Sequence, residues 1–329
     1  MQHYISRLGQ ARMVQCGPEG YFSTLGGATF FGGSFVLKAI KEKKEMSDKA
    51  TPDLLASTAR WTAAVRAKES LREDRLFNDP WATTLAGKEG EEWAAHRAGD
   101  LGVSTMTVRT RFFDDFLQHV TGEHAIRQIV LMAAGLDTRA FRLSWPEQTR
   151  LFELDQPQVM NYKEQILSSA SAHPTCERQT IAVNLTGPWT EVLIKTGFNA
   201  QQPSGWLLEG FLFYLPNESV THILDEVTSL AASGSWIGFD IINSATLTSP
   251  LTRPWVEMQA NAGAPWTGTM DDPEDFLARR GWQATLTQVG ETDANYGRWP
   301  YPVRPRMLPN MPREWLVTAQ KIVLASTTG

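Results

Sequence analysis

Cysteine is nearly missing from this chain: Cys16 and Cys176 are the only two in 329 residues. That excludes a disulfide scaffold and any all-cysteine zinc site, and both read as ordinary thiols of a reducing, cytoplasmic compartment. Basic charge is not in surplus. The 31 Lys and Arg meet 36 Asp and Glu, a net charge of −5, so no nucleic-acid partner is expected. Long apolar runs are also lacking. The longest, Phe30 to Ile40, is broken by Gly32, Gly33, Ser34 and Lys38. It falls short of the ~20 residues that a bilayer requires, so no membrane partner is expected. His96, His119, His124 and His173 have no ligand spacing, and no metal is expected. Two phosphate-binding signatures are missing as well. There is no full dinucleotide glycine fingerprint and no Walker lysine.

What the chain does contain is ordinary globular composition, 42% apolar and 20% charged. This is incompatible with a mainly disordered, collagen-like or coiled-coil protein. At ~150 residues per domain the length suggests two domains, or one large α/β domain with additions. A chain of this size buries roughly three quarters of its surface without staples. The first 45 residues differ from the rest. Residues 1–40 are rich in glycine and hold Arg7, Arg12 and Lys38 against a single acid, Glu19. An acid-poor targeting peptide fits that charge. The glycines and the lack of an amphipathic period instead favour a flexible leader, or an upstream start ahead of Met46. Lys41, Lys43 and Lys44 read as a solvated hinge.

From Thr51 the pattern turns helical, with Pro52 and Asp53 suited to a first turn. A short second helix is expected from Trp81, ended by Gly87, and a third over Ser104 to Val120, where Met106, Val108, Phe112, Phe113 and Phe116 keep a period near 3.6. Residues 46–122 thus form a helical lid. At Gln128 the character changes. Short apolar runs (Ile129–Ala133, Arg150–Asp155, Thr180–Asn184, Gly205–Glu209, Ser235–Ile241) alternate with helical stretches, the pattern of a parallel sheet buried on both faces. After Ser244 prolines break the text. A helix over Pro273 to Arg280 and a strand over Trp282 to Val289 are expected. So is a final strand from Trp315 to Leu324, whose alternation suits a sheet edge. Residues 123–329 make the α/β domain, with insertions about 245–270 and 290–312.

Four of these strands end in polar groups: Asp137, Asp155, Asn184 and Glu209. In open α/β sheets, ligands bind beyond the carboxyl ends of the strands. An acid after the second strand can accept from both ribose hydroxyls, and Asn184, one strand further, can face an adenine edge. The Ala133-Ala134-Gly135 turn lets a ligand approach the backbone. Together these residues describe a pocket for a nucleoside-type cofactor without a phosphate group.

Here the chain resembles a known family. Ala134-Gly135-Leu136-Asp137-Thr138-Arg139 with Arg142-Leu143, Phe152-Glu153-Leu154-Asp155-Gln156-Pro157, and Glu209-Gly210 with Tyr214-Leu215-Pro216 look like the leucine carboxyl methyltransferases. Upstream, Thr58-Ala59-Arg60, Asp79-Pro80-Trp81-Ala82 and Arg109-Thr110-Arg111-Phe112-Phe113-Asp114 also fit. The likeness is strong over about 50–245, weak beyond, and is closest to the bacterial and biosynthetic branch. It implies a class I fold: a Rossmann-like, seven-stranded α/β sheet with its last strand antiparallel, and S-adenosyl-L-methionine as cofactor. Carried over residue by residue, it implies that Arg109 pairs with the cofactor's methionine carboxylate, assisted by Lys68. Ala133 and Gly135, with Asp137 beside them, line the methionine part. Asp155 holds the ribose, Asn184 and Leu185 meet the adenine, and Glu209 lies near the amino group and the acceptor. Two positions depart from the family: Ala133 stands where glycine is frequent, and Asn184 where aspartate is usual. The alternative for Arg109 is a surface pair with Asp114 or Asp115.

Methyl transfer to oxygen needs alignment and exclusion of water. A carboxylate acceptor needs no base, whereas a phenol, with a pKa of ~10, benefits from one. Glu209, Tyr214, His222 and Asp240 are the nearest candidates, although His222 falls in a helical pattern and reads as a surface residue. Trp255, Trp266 and Trp299, in proline- and glycine-rich loops, are candidates for an apolar acceptor pocket. The expected activity is O-methylation of a carboxylate or hydroxyl of a small molecule. The alternatives are a protein C-terminal carboxylate as acceptor, a nicotinamide oxidoreductase, and a non-catalytic cofactor-binding module.

Overall fold

The structure, a computed structural model, describes residues 24–25, 28–29, 58–97 and 100–322. The expectations for residues 1–45 lie outside these, apart from Thr24–Leu25 and Ala28–Thr29, which pair antiparallel. The chain divides into two units, Met1–Asp53 and Leu54–Gly329. The second unit contains the large sheet and the helices that cover it.

Seven strands form one sheet: β1 (Gln128–Met132), β2 (Arg150–Asp155), β3 (Glu177–Ala182), β4 (Gly205–Leu208), β5 (Trp236–Ile242), β6 (Trp282–Gln288) and β7 (Glu314–Lys321). Their order is β3-β2-β1-β4-β5-β7-β6. The first five run parallel, and β7 pairs antiparallel with both β5 and β6. This is the sheet that the sequence led us to expect, with one correction. β7 is not an edge strand; it is inserted between β5 and β6, and the edges are β3 and β6. Trp315, Val317 and Ala319 pack in one core and Leu316 in the other, so both faces of β7 are covered at Leu316–Val317, as an inserted strand requires.

The same division runs through β1. Ile129 and Leu131 point to the core closed by α1 (residues 58–70), α2 (Ala82–Arg97), α3 (Asp100–Gly122), α4 (Arg139–Arg142) and α5 (Pro157–Ser169). Val130 and Met132 point to the core closed by α6 (Trp189–Lys195) and α7 (Asn217–Leu230). A strand covered on both faces is apolar throughout rather than alternating, which is why Ile129-Val130-Leu131-Met132 reads as a continuous run. Gly87 adopts φ +58° and breaks α2, where the sequence places the end of a short helix. Near 250 the sequence reads as irregular, yet two helices form, α8 (Ser244–Thr248) and α9 (Arg253–Asn261). Asn243 caps α8 through its side chain, and Pro254 sits in the first turn of α9, where its missing N–H costs nothing. The expected helix from Pro273 forms as α10 (Pro273–Ala278), and its Leu277 joins the same core as Val130. β3 ends at Ala182, so Asn184 lies two residues beyond it.

Candidate active site

The turn after β1 holds two residues with positive φ, Ala133 at +50° and Gly135 at +49°. Glycine adopts this region freely; an alanine there costs roughly 1–2 kcal/mol. The acid at the end of β2 braces the turn. Asp155 accepts the N–H of Gly135 through Oδ2 and that of Gln156 through Oδ1, both at 2.6 Å. Burial raises the Asp155 carboxyl, and these two N–H groups oppose the rise. One strand further, Asn184 is exposed. Its Oδ1 accepts from the backbone N–H of Thr186 at 3.0 Å and the Thr186 hydroxyl at 2.9 Å. The oxygen read as an adenine acceptor is thus turned into a local Asx turn. Leu185 is buried beneath it.

The charged centre lies where α3 crosses the strand ends. Arg109 is buried, its side chain 8% exposed. Its Nε donates to Glu209 Oε1 at 3.1 Å and its Nη1 to Asp240 Oδ2 at 2.7 Å, with Glu314 Oε1 3.9 Å from Nη1. Gly210 N–H holds the other oxygen of Asp240 at 2.6 Å. The alternative of a surface pair with Asp114 or Asp115 is therefore excluded. Asp114 instead accepts from Arg139 and, through both oxygens, from Arg142, while Asp115 takes Arg111.

Arg139 carries the network onward. It donates to Asp114 Oδ1 at 2.7 Å and to the Thr110 carbonyl, and its Nη2 lies 2.8 Å from Glu209 Oε2. Asp137 grips its guanidinium and its backbone N–H. Burial alone would raise the Asp137 carboxyl; the Arg139 charge overrides this and holds it at about 2. Asp137 is thus committed to orienting Arg139. Lys68 is exposed on α1 and is not brought into this cluster. The buried arginine of that helix is Arg66, which bonds Asp79 and the Leu136 carbonyl.

Beside the cluster lies a cavity of about 200 Å³. Its walls come from α1 (Trp61), α3 (Met106, Arg109), the turn after β4 (Gly210, Phe213, Tyr214) and the C-terminal region. Trp255, Trp266 and Trp299 all line it, on three separate segments. Gly102 on α3 makes room for one of them, since a Cβ there would stand 2.3 Å from Trp255 Cη2. Trp266 packs edge-on against Phe213. Tyr214 sits beside Trp266, and burial pushes its hydroxyl up to about 12, so it is protonated at neutral pH. His222 is exposed on α7, near Glu226.

Two features escape a sequence reading. Glu314, at the first position of β7, lines the cavity; the sequence reads the strand as starting at Trp315 and passes over the residue before it. Trp61 enters from a helix whose face cannot be oriented without the sheet. Among the described residues no cluster of His, Cys, Asp and Glu has the arrangement to hold a metal ion, and no helix is long and apolar enough to cross a membrane.

Comparison with known proteins bears on this site. The leucine carboxyl methyltransferase family model matches residues 59–228. A putative S-adenosyl-L-methionine-dependent methyltransferase of Streptomyces coelicolor is 37% identical over 257 residues, 75% of this chain and 89% of its own. One from Frankia alni is 40% identical over 248 residues, 73% of this chain and 88% of its own. The crystal structure of a DUF574 family protein from Streptomyces avermitilis superposes with a TM-score of 0.58 at 13% identity, over 80% of this chain and 97% of that one; it speaks to the fold alone.

Proposed function

The chain belongs to the leucine carboxyl methyltransferase family and is an S-adenosylmethionine-dependent methyltransferase, and from that premise we propose that it methylates an oxygen of a small-molecule acceptor. The residues present suit the cofactor. Asp114, Asp137, Glu209, Asp240 and Glu314 are five acids interleaved with three arginines, Arg109, Arg139 and Arg142. A surplus of negative charge favours a ligand bearing a sulfonium and an ammonium. A Cβ at Gly210 would stand 3.0 Å from Arg109 Nη2, so the backbone there is kept bare beside the guanidinium.

When bound, the cofactor supplies an electrophilic methyl group. Arg109 would hold its carboxylate, Gly135 and Ala133 would flank its methionine part, and Glu209 would accept from its amino group. Asp155 would take the ribose, with lone pairs left after its two N–H bonds. Leu185 and the Asn184 turn would border the adenine. The protein's share of the chemistry is alignment and dryness. Holding the acceptor oxygen in line converts an encounter into a unimolecular step, an effect that reaches ~7–11 kcal/mol in well-oriented cases.

One observation carries the small-molecule reading. The cavity walled by Trp255, Trp266 and Trp299 also includes Arg109 and Gly210 in its lining, so an apolar ligand bound there sits against the charged cluster. Cavities of this type, mainly apolar with a few convergent polar groups, are the usual sites for small ligands. The test is direct. The protein is incubated with S-adenosylmethionine and fractionated small-molecule extracts, and mass spectrometry searches for the gain of one methyl group; peptides with a free carboxyl terminus run alongside. Methylation of peptides and of no small molecule would refute the reading.

A further inference from the structure

On the methyl-transfer reading just given, the cavity also reads a part of the acceptor away from the reacting oxygen. Thr252, Trp255 and Gln259 are spaced by three and four residues, so they share one face of α9, and all three line the cavity. Gln259 is the one residue of Arg253–Asn261 that is buried, at 3% exposed. Surface helices ordinarily turn an apolar stripe inward. Here the innermost place on the helix goes to a carboxamide, in a cavity walled by tryptophans.

Buried polar side chains are almost always hydrogen-bonded. The backbone of Gln259 obeys this: its carbonyl accepts the N–H of Ala264 at 3.0 Å, across a turn in which Gly263 has φ +74°. The side chain does not. Its carboxamide has no hydrogen-bond partner among the described residues. It is not sealed in either. The orphan polar atoms enclosed by the core include neither its nitrogen nor its oxygen, so the little surface that Gln259 keeps is at the amide, against the cavity. Threonines of the same lining differ. Thr62, Thr105 and Thr252 donate their hydroxyls to the carbonyls of Ala59, Leu101 and Thr246 at 2.8, 2.9 and 2.6 Å.

A carboxamide presents an N–H donor and a C=O acceptor side by side in one plane. The group that satisfies both is its own complement, an N–H and a C=O on the same side, as in a primary amide or a lactam. A ketone or ether takes the donor and leaves the oxygen unpaired. A carboxylate takes the donor and sets its charge against the amide oxygen. A hydrocarbon leaves both unpaired, and a site built round a hydrogen-bonding group discriminates strongly against analogues that lack the partner.

We propose that Gln259 determines acceptor specificity by pairing, through Nε2 and Oε1 together, with a primary amide or lactam in the body of the acceptor. The acceptor then spans the cavity, its reacting oxygen at the charged end beside Arg109 and Gly210 and its amide at α9. Gln259 takes no part in making or breaking bonds. It is a positioning residue that fixes how far along the cavity the acceptor lies, and so whether its oxygen is in line with the methyl group.

Calorimetry tests this with the full chain, S-adenosylhomocysteine and two probes, para-carbamoylbenzoate and para-isopropylbenzoate. The probes share the ring, the carboxylate and the outline of the third group, so they differ in hydrogen bonding alone. The wild type should bind the carbamoyl probe at least about tenfold more tightly. Gln259→Met keeps the length of the side chain and loses both polar atoms, and it should reverse the order in favour of the isopropyl probe. Its affinity for S-adenosylhomocysteine should be unchanged. Its Tm should be unchanged or higher, because an unpaired polar group has given way to an apolar one. Probes bound alike by the wild type, or a Met variant that keeps the wild-type preference, would each overturn the inference and leave the methyl-transfer reading in place. A lowered Tm with the preference intact would make Gln259 a structural residue instead. Failure to bind S-adenosylhomocysteine at all would remove the methyl-transfer reading, and the inference with it.

Discussion

Replacing Arg109 with lysine separates a structural brace from a cofactor grip. Arg109 makes two charged bonds from one planar group, to Glu209 at 3.1 Å and Asp240 at 2.7 Å. An ammonium on a flexible stem cannot serve two carboxylates in that fork geometry. Asp240 has no exposed side-chain surface, so leaving it unpaired is the costlier outcome and the lysine pairs there. Glu209 then retains only Arg139. One charge-assisted bond is lost, a stability cost of about 1.5–3 kcal/mol, below the ~3–5 kcal/mol for breaking a buried pair outright. If Arg109 also holds the cofactor's carboxylate, its two-pronged contact is lost as well. Affinity for S-adenosylhomocysteine, read by calorimetry, should fall at least tenfold, about 1.4 kcal/mol. Thermal unfolding of the same samples reports the structural part. A lowered Tm with unchanged affinity would refute the grip and leave Arg109 a brace, with the carboxylate held elsewhere.

Asp155→Asn should weaken S-adenosylhomocysteine binding by about 1–3 kcal/mol, because an amide offers one acceptor where Gly135 and Gln156 already use two; an unchanged dissociation constant would sink the ribose assignment. The folded-state value of about 2 for Asp137, against 3.8 unperturbed, means that its stabilising contribution is complete above the unfolded value and is lost as pH falls from about 4 through about 2. Over that window Asp137→Asn should show a loss of stability shallower by about 2 kcal/mol than the wild type, measured by denaturant titration at a series of pH values. Gly102→Ala pushes a methyl into Trp255, 2.3 Å from Cη2. It should reduce acceptor turnover while S-adenosylhomocysteine still binds; loss of both would show that the substitution disturbs more than the cavity wall.

How much of the fold and site was legible depends on whether local sequence or long-range register decides it. β1 could be read from Ile129-Val130-Leu131-Met132 because burial on both faces makes such a strand uniformly apolar; β2 could be read from Leu151-Phe152 and Leu154, although its buried Glu153 pairs with Lys163 and Arg178. Gly87 marks a helix break because only its backbone makes the φ of +58° easy. The position of β7 could not be read. Alternation tells which residues share a face, but not whether the strand closes an edge or is inserted between two others. α9 was hidden by Pro250 and Pro254, which look like breakers until one sees that Pro254 lies in a first turn. Asp155 and Glu209 could be put at the carboxyl ends of β2 and β4 without any coordinates. The three tryptophans could be named but not assembled, since 255, 266 and 299 meet only through the tertiary fold. Lys68 came from the resemblance alone, and no pattern in the sequence tells which cation of α1 turns inward: Lys68 is exposed, and the buried cation of that helix is Arg66.

The arginine network explains why α3 belongs to the site and is not a detachable cover. Arg109 and the Thr110 carbonyl reach forward to Glu209, Asp240 and Arg139, while Asp114, one turn on, receives Arg139 and Arg142 from α4, the segment after β1. Residues 110 and 114, four apart, share a face of the helix and Arg109 flanks it, so one short stretch of α3 is bonded to the groups at the ends of β1, β4 and β5. Buried charges of this kind are expensive to separate, and opening α3 would expose all of them together. The same network has more acids than arginines. Asp137 is held low by the Arg139 charge, whereas Asp240 is raised by burial and the Glu209 charge, and Glu314 by burial and the Asp240 charge. Arg109 lies between the two acids, 2.7 Å from Asp240 and 3.9 Å from Glu314, and opposes both rises. One guanidinium thus faces three carboxylates there, and a ligand that brings positive charge beside them would lower the cost of ionising them.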